Sequence, residues 1–229
     1  MKILAIESAS ITASCAVSDD DKLLGEYTLN HKKTHSEKLM PLIEELMKEL
    51  ELKLQDIDVI AVSEGPGSYT GLRIGAAIAK SMAYAVNIPI ANVPTTKSLA
   101  GNIFDLNKLI VPVMDARSGR IYTGIYKWES GKLVAVKEQF PCNIDELIEI
   151  LNGYAEPVIF NGDGSVNYRS IIEERLNRKA YFAPGRFNYL NASTLSSIGF
   201  NMALKGELIK ASDFKPQYLR LSQAERSKK

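Results

Sequence analysis

Cysteine is scarce in this 229-residue sequence. Cys15 and Cys142 form no CxxC pair and are too few for a disulfide scaffold. Cys15 lies in an apolar, strand-like run and reads as a small core residue, which fits a reducing compartment. An excess of charge of one sign is also missing. Lys and Arg number 28 against 27 Asp and Glu, a net charge of +1. That balance excludes the broadly basic footprint of an autonomous nucleic-acid binder, so any RNA has to be held by a local patch or by another molecule. Long hydrophobic runs are absent too. Ile3-Leu4-Ala5-Ile6 before Glu7 is shorter than the roughly 7–15 apolar residues of a secretory signal. No uncharged run approaches the ~20 residues that span a bilayer. The expectation is a cytoplasmic chain with no membrane partner. What is present is an ordinary globular composition, 45% hydrophobic and 24% charged. It is enough for a sizeable core without metal or disulfides, in one large domain or two small ones.

Apolar and β-branched runs at 2–6, 14–18 and 23–29, broken at Asp19-Asp20-Asp21, predict three strands. A helix over 36–50 follows. Thr34 and Glu37 have capping-box spacing, and Leu39, Leu42, Ile43, Leu46, Met47 and Leu50 form one apolar stripe. Pro41 is placed to kink it. The run 57–62 predicts a strand buried on both faces. A glycine-rich loop then leads into a helix ending near residue 86, a strand over 88–93 and a helix over 95–104. The second half restarts the pattern. Strands are expected at 109–114, 120–128 and 133–140, a helix at 144–151, a strand at 157–160, and helices at 166–176 and 192–205. Ile3-Leu4-Ala5-Ile6-Glu7 and Val111-Pro112-Val113-Met114-Asp115 are both apolar strands ending in a carboxylate. The expected architecture is therefore α/β and duplicated. One lobe would span 1–105 and the other 106–229, with packing of the last helix back onto the first lobe left open.

The strongest local signal is Gly65-Pro66-Gly67-Ser68-Tyr69-Thr70-Gly71-Leu72-Arg73, joining a buried strand to a helix N-terminus. Glycines permit close backbone approach, and helix-end N–H groups suit an anion. No Gly-Lys-Ser/Thr follows, so this is no Walker A loop. A tight, hydroxyl-capped turn explains the same residues. Along the helix, Gly71, Gly75, Ala79 and Ala83 recur every four residues, a small-residue ladder that would admit another helix. Ile74, Ile78, Met82 and Val86 make a second row. A helix so apolar is covered on two sides. Its cover is either the chain's own core or, with the 36–50 helix, an intermolecular bundle.

Other candidates are weaker. Glu7 and Asp115 end equivalent strands, where carboxylates could hold Mg²⁺ or orient a nucleophile. Ser8-Ala9-Ser10 after Glu7 has no glycine for a phosphate, and Asp115-Ala116-Arg117 reads better as an internal charge pair. His31 and His35 are the only histidines and lie four apart, but the Thr34 cap leaves His31 outside the helix and no third ligand is adjacent. Asn161-Gly162-Asp163-Gly164 reads as a turn at a strand end. The basic stretch from Lys215 to Lys229 suits RNA, an acidic partner or plain solvent.

Taken in order, residues 3–8, the Gly65 to Gly75 segment, Asp115-Ala116-Arg117 with Ile121-Tyr122, Gly162-Asp163-Gly164 and Pro216-Gln217-Tyr218-Leu219-Arg220 resemble the TsaB (YeaZ) family along the whole chain. The resemblance implies a duplicated actin-like ATPase fold (ASKHA, ribonuclease H-like) in two lobes. It implies a non-catalytic subunit in making threonylcarbamoyladenosine, at the adenosine 3′ of the anticodon in tRNAs reading ANN codons. The partners it implies are a TsaD-type transferase, a TsaE-type ATPase, a second copy when alone, and tRNA through the complex. The implied pairing surface is Leu39, Ile43, Leu46, Met47, Gly71, Ile74, Gly75, Ile78, Ala79 and Met82. The loop Gly65, Pro66, Gly67, Ser68, Thr70, Gly71 and Arg73 is then a nucleotide or interface loop. No cofactor is expected to be required, with ATP or ADP at a shared interface left open. The catalytic paralogue's metal-binding histidines fall at Thr95 and Leu99 and its late aspartate near Leu190 or Asn191, none a comparable ligand. The alternatives are an actin-like ATPase or phosphotransferase, which the missing glycine opposes, and a metallopeptidase, which the missing His-Glu-x-x-His opposes.

Overall fold

The structure, a computed structural model, describes residues 1–30 and 35–219. The readings placed on His31, Thr34 and the 220–229 stretch lie outside these residues, as does the side chain of His35.

Strands β1 (Lys2–Glu7), β2 (Thr12–Asp19) and β3 (Lys22–Asn30) form an antiparallel meander. Helix α1 (His35–Glu49) follows and runs through Pro41, which sits exposed on its outer side. Strand β4 (Val59–Gly65) pairs parallel with β1, helix α2 (Tyr69–Val86) follows, and β5 (Ile90–Pro94) pairs parallel with β4. The sheet order is β3-β2-β1-β4-β5. Ser68 Oγ accepts the Gly71 N–H at the start of α2, and Asn87, in the left-handed region, ends it. Helix α3 (Thr95–Ala100) is shorter than the expected 95–104. Beyond Gly101, the Asn102 side chain donates to the carbonyls of Phe187 and Tyr189, and Ile103 turns into the core.

The pattern then repeats. Strands β6 (Leu109–Asp115), β7 (Arg120–Glu129) and β8 (Lys132–Asn143), helix α4 (Ile144–Asn152) and β9 (Val158–Asn161) build a second sheet. The expected 166–176 helix is two pieces, α5 (Asp163–Asn167) and α6 (Arg169–Arg175), meeting at Tyr168. A three-residue strand that the pattern did not predict, β10 (Ala180–Phe182), pairs parallel with β9. Read from its meander edge, this sheet runs β8-β7-β6-β9-β10, the order of the first. Three residues are too few for a period-2 signal; pairing alone makes β10 a strand.

The division into lobes differs from the expected 1–105 and 106–229. One compact unit comprises 1–98 with 190–229, the other 99–189. The reason is helix α7 (Ala192–Leu204), which packs against β1, β2, β4 and β5. Alternation along β1 shows how one strand serves two layers. Leu4 and Ile6 join the core beneath α1 and α2, with Leu39, Ile43 and Ala79. Ile3 and Ala5 join the core beneath α7, with Leu195 and Ile198. The α7 side of the sheet is lined by Ala5, Ala16, Ala61 and Ala91. A Cβ on Gly199 would stand 2.8 Å from that of Ala61, so small side chains on both surfaces set the close approach. Glu26 accepts the Ser193 N–H (2.9 Å) and hydroxyl (3.0 Å), and Asn191 caps the helix by accepting from Thr194. In the second unit, α4 and α6 cover Leu109, Val111 and Val113 on one face. Ile110 and Tyr126 pack against Ala100, Ile103 and Phe187 on the other. Both cysteines are free and buried, and burial pushes each thiol up to about 12.

Candidate functional site

The glycine segment after β4 is a meeting point of backbones. Ser68 N–H donates to Ala9 carbonyl oxygen (2.7 Å), and Ser8 Oγ donates to the Gly71 carbonyl (2.9 Å). A Cβ on Gly67 would collide with the Ala9 carbonyl, one on Gly71 with the Ser8 carbonyl, and one on Gly75 with Ser8 Oγ. Gly65, at φ +119°, faces the Gln217 carbonyl just as closely, while its N–H donates to Thr95 Oγ1 (3.2 Å). These glycines are required because the β1–β2 turn and the 212–218 segment press against α2 and the turn before it. Of the remaining loop residues, Pro66 is buried, whereas Ser68, Thr70 and Arg73 are exposed.

Glu7 lies beneath this junction with no solvent exposure. Ser63 Oγ donates to one carboxylate oxygen and the Ala9 N–H to the other at 2.7 Å. Burial pushes its carboxyl up to about 7, partly opposed by those hydrogen bonds. Both oxygens are therefore engaged inside the fold, holding the turn that carries Ser8 and Ala9. A raised carboxyl pKa means that the folded state binds more protons than the unfolded state between about pH 4.5 and 7. Stability from this group is complete below pH 4.5, is lost as pH rises through 7, and levels off above it. The span is about 3 kcal/mol. Glu7→Gln should flatten that part of the profile and exceed the parent's stability at pH 8, read by urea unfolding between pH 5 and 8. Parallel profiles for parent and variant would remove Glu7 as the source.

The ten expected pairing residues divide into two groups. Leu39, Ile43, Leu46 and Met47 are buried in the core that α1 shares with the first sheet. Gly71, Gly75 and Ala79 are buried as well, facing β1 and β4 rather than an incoming helix. The ladder of small residues is a correction to the sequence reading: it lets α2 approach its own sheet. Ile74, Ile78 and Met82 are half-buried along the outer flank of α2, with Met40 and Leu42 of the adjoining α1 packed on the same cluster. Ala77, Ala85 and Tyr84 lie exposed beside them, Tyr84 at 79%. Along this flank α2 carries no acidic residue, whereas the exposed side of α1 is Glu37, Pro41, Glu44, Glu45, Lys48 and Glu49. Sequence reasoning missed Met40 and Tyr84, because a half-buried residue and a core residue share the same helical period.

In the second unit, Asp115 and Arg117 do not form the expected charge pair. Asp115 Oδ1 accepts the Arg117 main-chain N–H (2.7 Å), Oδ2 accepts Asn167 Nδ2 (3.0 Å), and the Asp115 N–H donates to Asp163 Oδ1 (3.0 Å). Arg117 is in the left-handed region at φ +62°. The loop is thus ordered through main-chain donors, and the guanidinium is not its fastener. Gly162, at φ +95°, brings its backbone against the Val113 carbonyl, and Asp163 opens α5. Burial raises the Asp163 carboxyl.

At the positions matched to a transferase metal site, Thr95 accepts the Gly65 N–H, Leu99 and Leu190 are buried, and Asn191 caps α7. Among the described residues, no three His, Cys, Asp or Glu side chains converge to hold a metal ion.

Two five-stranded sheets of one order, each starting from a meander and flanked by helices, define a protein of the actin-like ATPase fold class. YeaZ from Pseudomonas aeruginosa superimposes with a TM-score of 0.79 at 22% identity, over 95% of this chain and 99% of that one. The ROK hexokinase from Thermus thermophilus gives 0.50 at 12% identity, over 90% and 100%. The family model "TsaD: tRNA N6-adenosine threonylcarbamoyltransferase" matches residues 22–228. The tRNA threonylcarbamoyladenosine biosynthesis protein TsaB of Bacillus subtilis is 34% identical over 225 residues, covering 98% of this chain and 96% of its own length. Its Haemophilus influenzae counterpart is 27% identical over 205 residues, covering 82% and 81%. The chain belongs to the TsaB family.

Proposed function

We propose that this chain is the non-catalytic subunit of a tRNA threonylcarbamoyladenosine-forming assembly. In this role it binds a TsaD-type transferase through the outer flank of α1 and α2. Family membership supports the tRNA-modification role. The observation that carries the subunit role is the outward apolar row Ile74, Ile78 and Met82 beside Met40 and Leu42. Half-buried aliphatic residues beside exposed alanines give up water readily when a second apolar helix pair covers them. The same flank serves a second copy of the chain when the transferase is missing. A TsaE-type ATPase joins the assembly, which works in the cytoplasm, and tRNA is held through the assembly. The subunit needs no cofactor for its own part, and ATP or ADP binds, if anywhere, at an interface shared with a partner. The engagement of both Glu7 oxygens within the fold weighs against an independent phosphotransferase.

The test is reconstitution with unmodified tRNA, threonylcarbamoyl-AMP and the transferase, with and without this chain, alongside a pull-down of the two proteins. Modification only when both are present, together with co-purification, is the expected result. Turnover by this chain without the transferase, or failure of the two to associate, would overturn the proposal.

A further inference from the structure

Charge is unevenly distributed along this nearly neutral chain. Residues 175–189 hold Arg175, Arg178, Lys179 and Arg186 and no Asp or Glu, a net +4 in fifteen residues of a chain whose total is +1. All of them are described, and they run from the end of α6 through β10, the outermost strand of the second sheet. Arg175 is paired with Asp145 (2.7 Å). Among the described residues the other three have no carboxylate partner. Arg178 Nη1 and Nη2 donate to the carbonyls of Glu156 (3.3 Å) and Asn152 (3.1 Å), and its buried Nε has no hydrogen-bond partner. Lys179 and Arg186 are exposed.

Both exposed cations stand over aromatic rings. Lys179 Nζ is 5.0 Å from the centroid of Tyr181, and Arg186 is 4.5 Å from that of Phe187. Lys108 Nζ reaches the Tyr181 ring as well (4.8 Å), and Arg169 lies over Phe182 (4.5 Å), although these two also pair with Asp105 and Glu173. Tyr181 and Phe182 are successive residues of β10 and face opposite sides of the sheet, Phe182 against Phe160, so cations flank the edge on both sides. Charges beside an edge strand guard it against pairing with another chain. A three-residue edge with Pro184 two residues beyond it is a poor template already, so protection alone leaves the ring-held cations unexplained. An aromatic face limits the freedom of the cation above it, which lowers the cost of ordering that side chain on an anion. A small anion needs cations that converge on one point. Cations strung along an exposed edge suit an extended polyanion with regularly spaced charges.

We propose that Arg178, Lys179 and Arg186, along the β10 edge, contact the phosphate backbone of the RNA substrate. This rests on the tRNA-modification role and adds a contact made by this subunit itself. Cations meet phosphates in any sequence, so the contact positions the RNA and does not read its bases.

The experiment is fluorescence anisotropy of the purified full-length chain with an unmodified tRNA transcript, over about 25–200 mM salt. Three variants accompany it: Lys179→Gln/Arg186→Gln, the charge-keeping Lys179→Arg/Arg186→Lys, and Lys22→Gln/Lys205→Gln, which removes two exposed cations of the first unit. Thermal unfolding confirms that each is folded. The first variant should bind about tenfold more weakly at the lowest salt, with a log K against log salt slope shallower by about two. The other two should stay within about twofold of the parent and keep its slope. No measurable binding by the parent at the lowest salt would overturn the inference. So would a first variant that binds as the parent does, or a loss as large in either of the other two. Self-association of the first variant with tRNA binding unchanged would mark the cations as edge guards, and loss of the transferase in a pull-down with tRNA binding unchanged would mark them as protein-docking residues; either result overturns the RNA contact. If the unaltered chain binds tRNA through these residues but never captures the transferase, the subunit proposal fails and this inference stands.

Discussion

Ile78→Glu is expected to abolish partner binding while the protein stays folded. Ile78 sits midway along the outer row, four residues from both Ile74 and Met82. A carboxylate there must be desolvated, without a hydrogen-bond partner, when an apolar surface covers it. A penalty of about 3 kcal/mol corresponds to a hundredfold or greater loss of affinity. Because Ile78 is only half-buried, the cost to the isolated fold should stay near ~1 kcal/mol. Sedimentation velocity with and without the transferase, and modified nucleoside measured by mass spectrometry, provide the readout. The variant should be monomeric alone and should fail to support modification. Leu204→Glu is the control, because Leu204 is exposed on α7, over the opposite face of the first sheet. Equal loss in both variants, or in neither, would show that the α2 flank is not the interface.

Gly71→Ala should cost about 3 kcal/mol or more, although glycine to alanine inside a helix is ordinarily stabilising. The added methyl would occupy the space of the Ser8 carbonyl oxygen, and main chain cannot swing aside as a long side chain can. For a chain of this size the loss amounts to a fall of roughly 6–12 °C in Tm. Gly185→Ala, where nothing lies within 4 Å of the new Cβ and φ is not positive, should change stability by less than about 0.5 kcal/mol. Calorimetry on the pair decides the matter. A Gly71→Ala protein as stable as its parent would mean that the β1–β2 turn does not press on α2 as described. The same geometry makes Gly75→Leu a poor probe of partner binding, since its side chain would strike Ser8 Oγ before reaching any partner.

Much of the architecture was legible because burial leaves periodic marks. The runs at 2–6 and 57–62 became β1 and β4 with little change, and the second meander appeared at β6 to β8. The duplication was read from two apolar strands that each end in a carboxylate, and the structure gives the two sheets one strand order. Short pieces escaped: β10 is a strand only through its pairing with β9, and α3 ends where Asn102 finds carbonyls more than eighty residues away. The candidate surface was half legible. Periodic spacing located both helices and marked most of their apolar positions, but could not say which row faced in. Gly71, Gly75 and Ala79 resemble a docking groove in one dimension, and only the Ser8 backbone lying against them shows that they belong to the interior.

The amino-acid order by itself determined most of the elements, their duplication and the family, because these depend on local periodicity and on motifs read along the chain. The tertiary structure alone decided that α7 joins the first sheet, that Glu7 is spent on the turn beside it, and which flank of α2 remains outward. Each of those outcomes depends on distant segments meeting. Ser193 reaches Glu26, Ser63 reaches Glu7, and Ser8 reaches Gly71, and the side facing such a contact cannot be inferred from residues near in sequence.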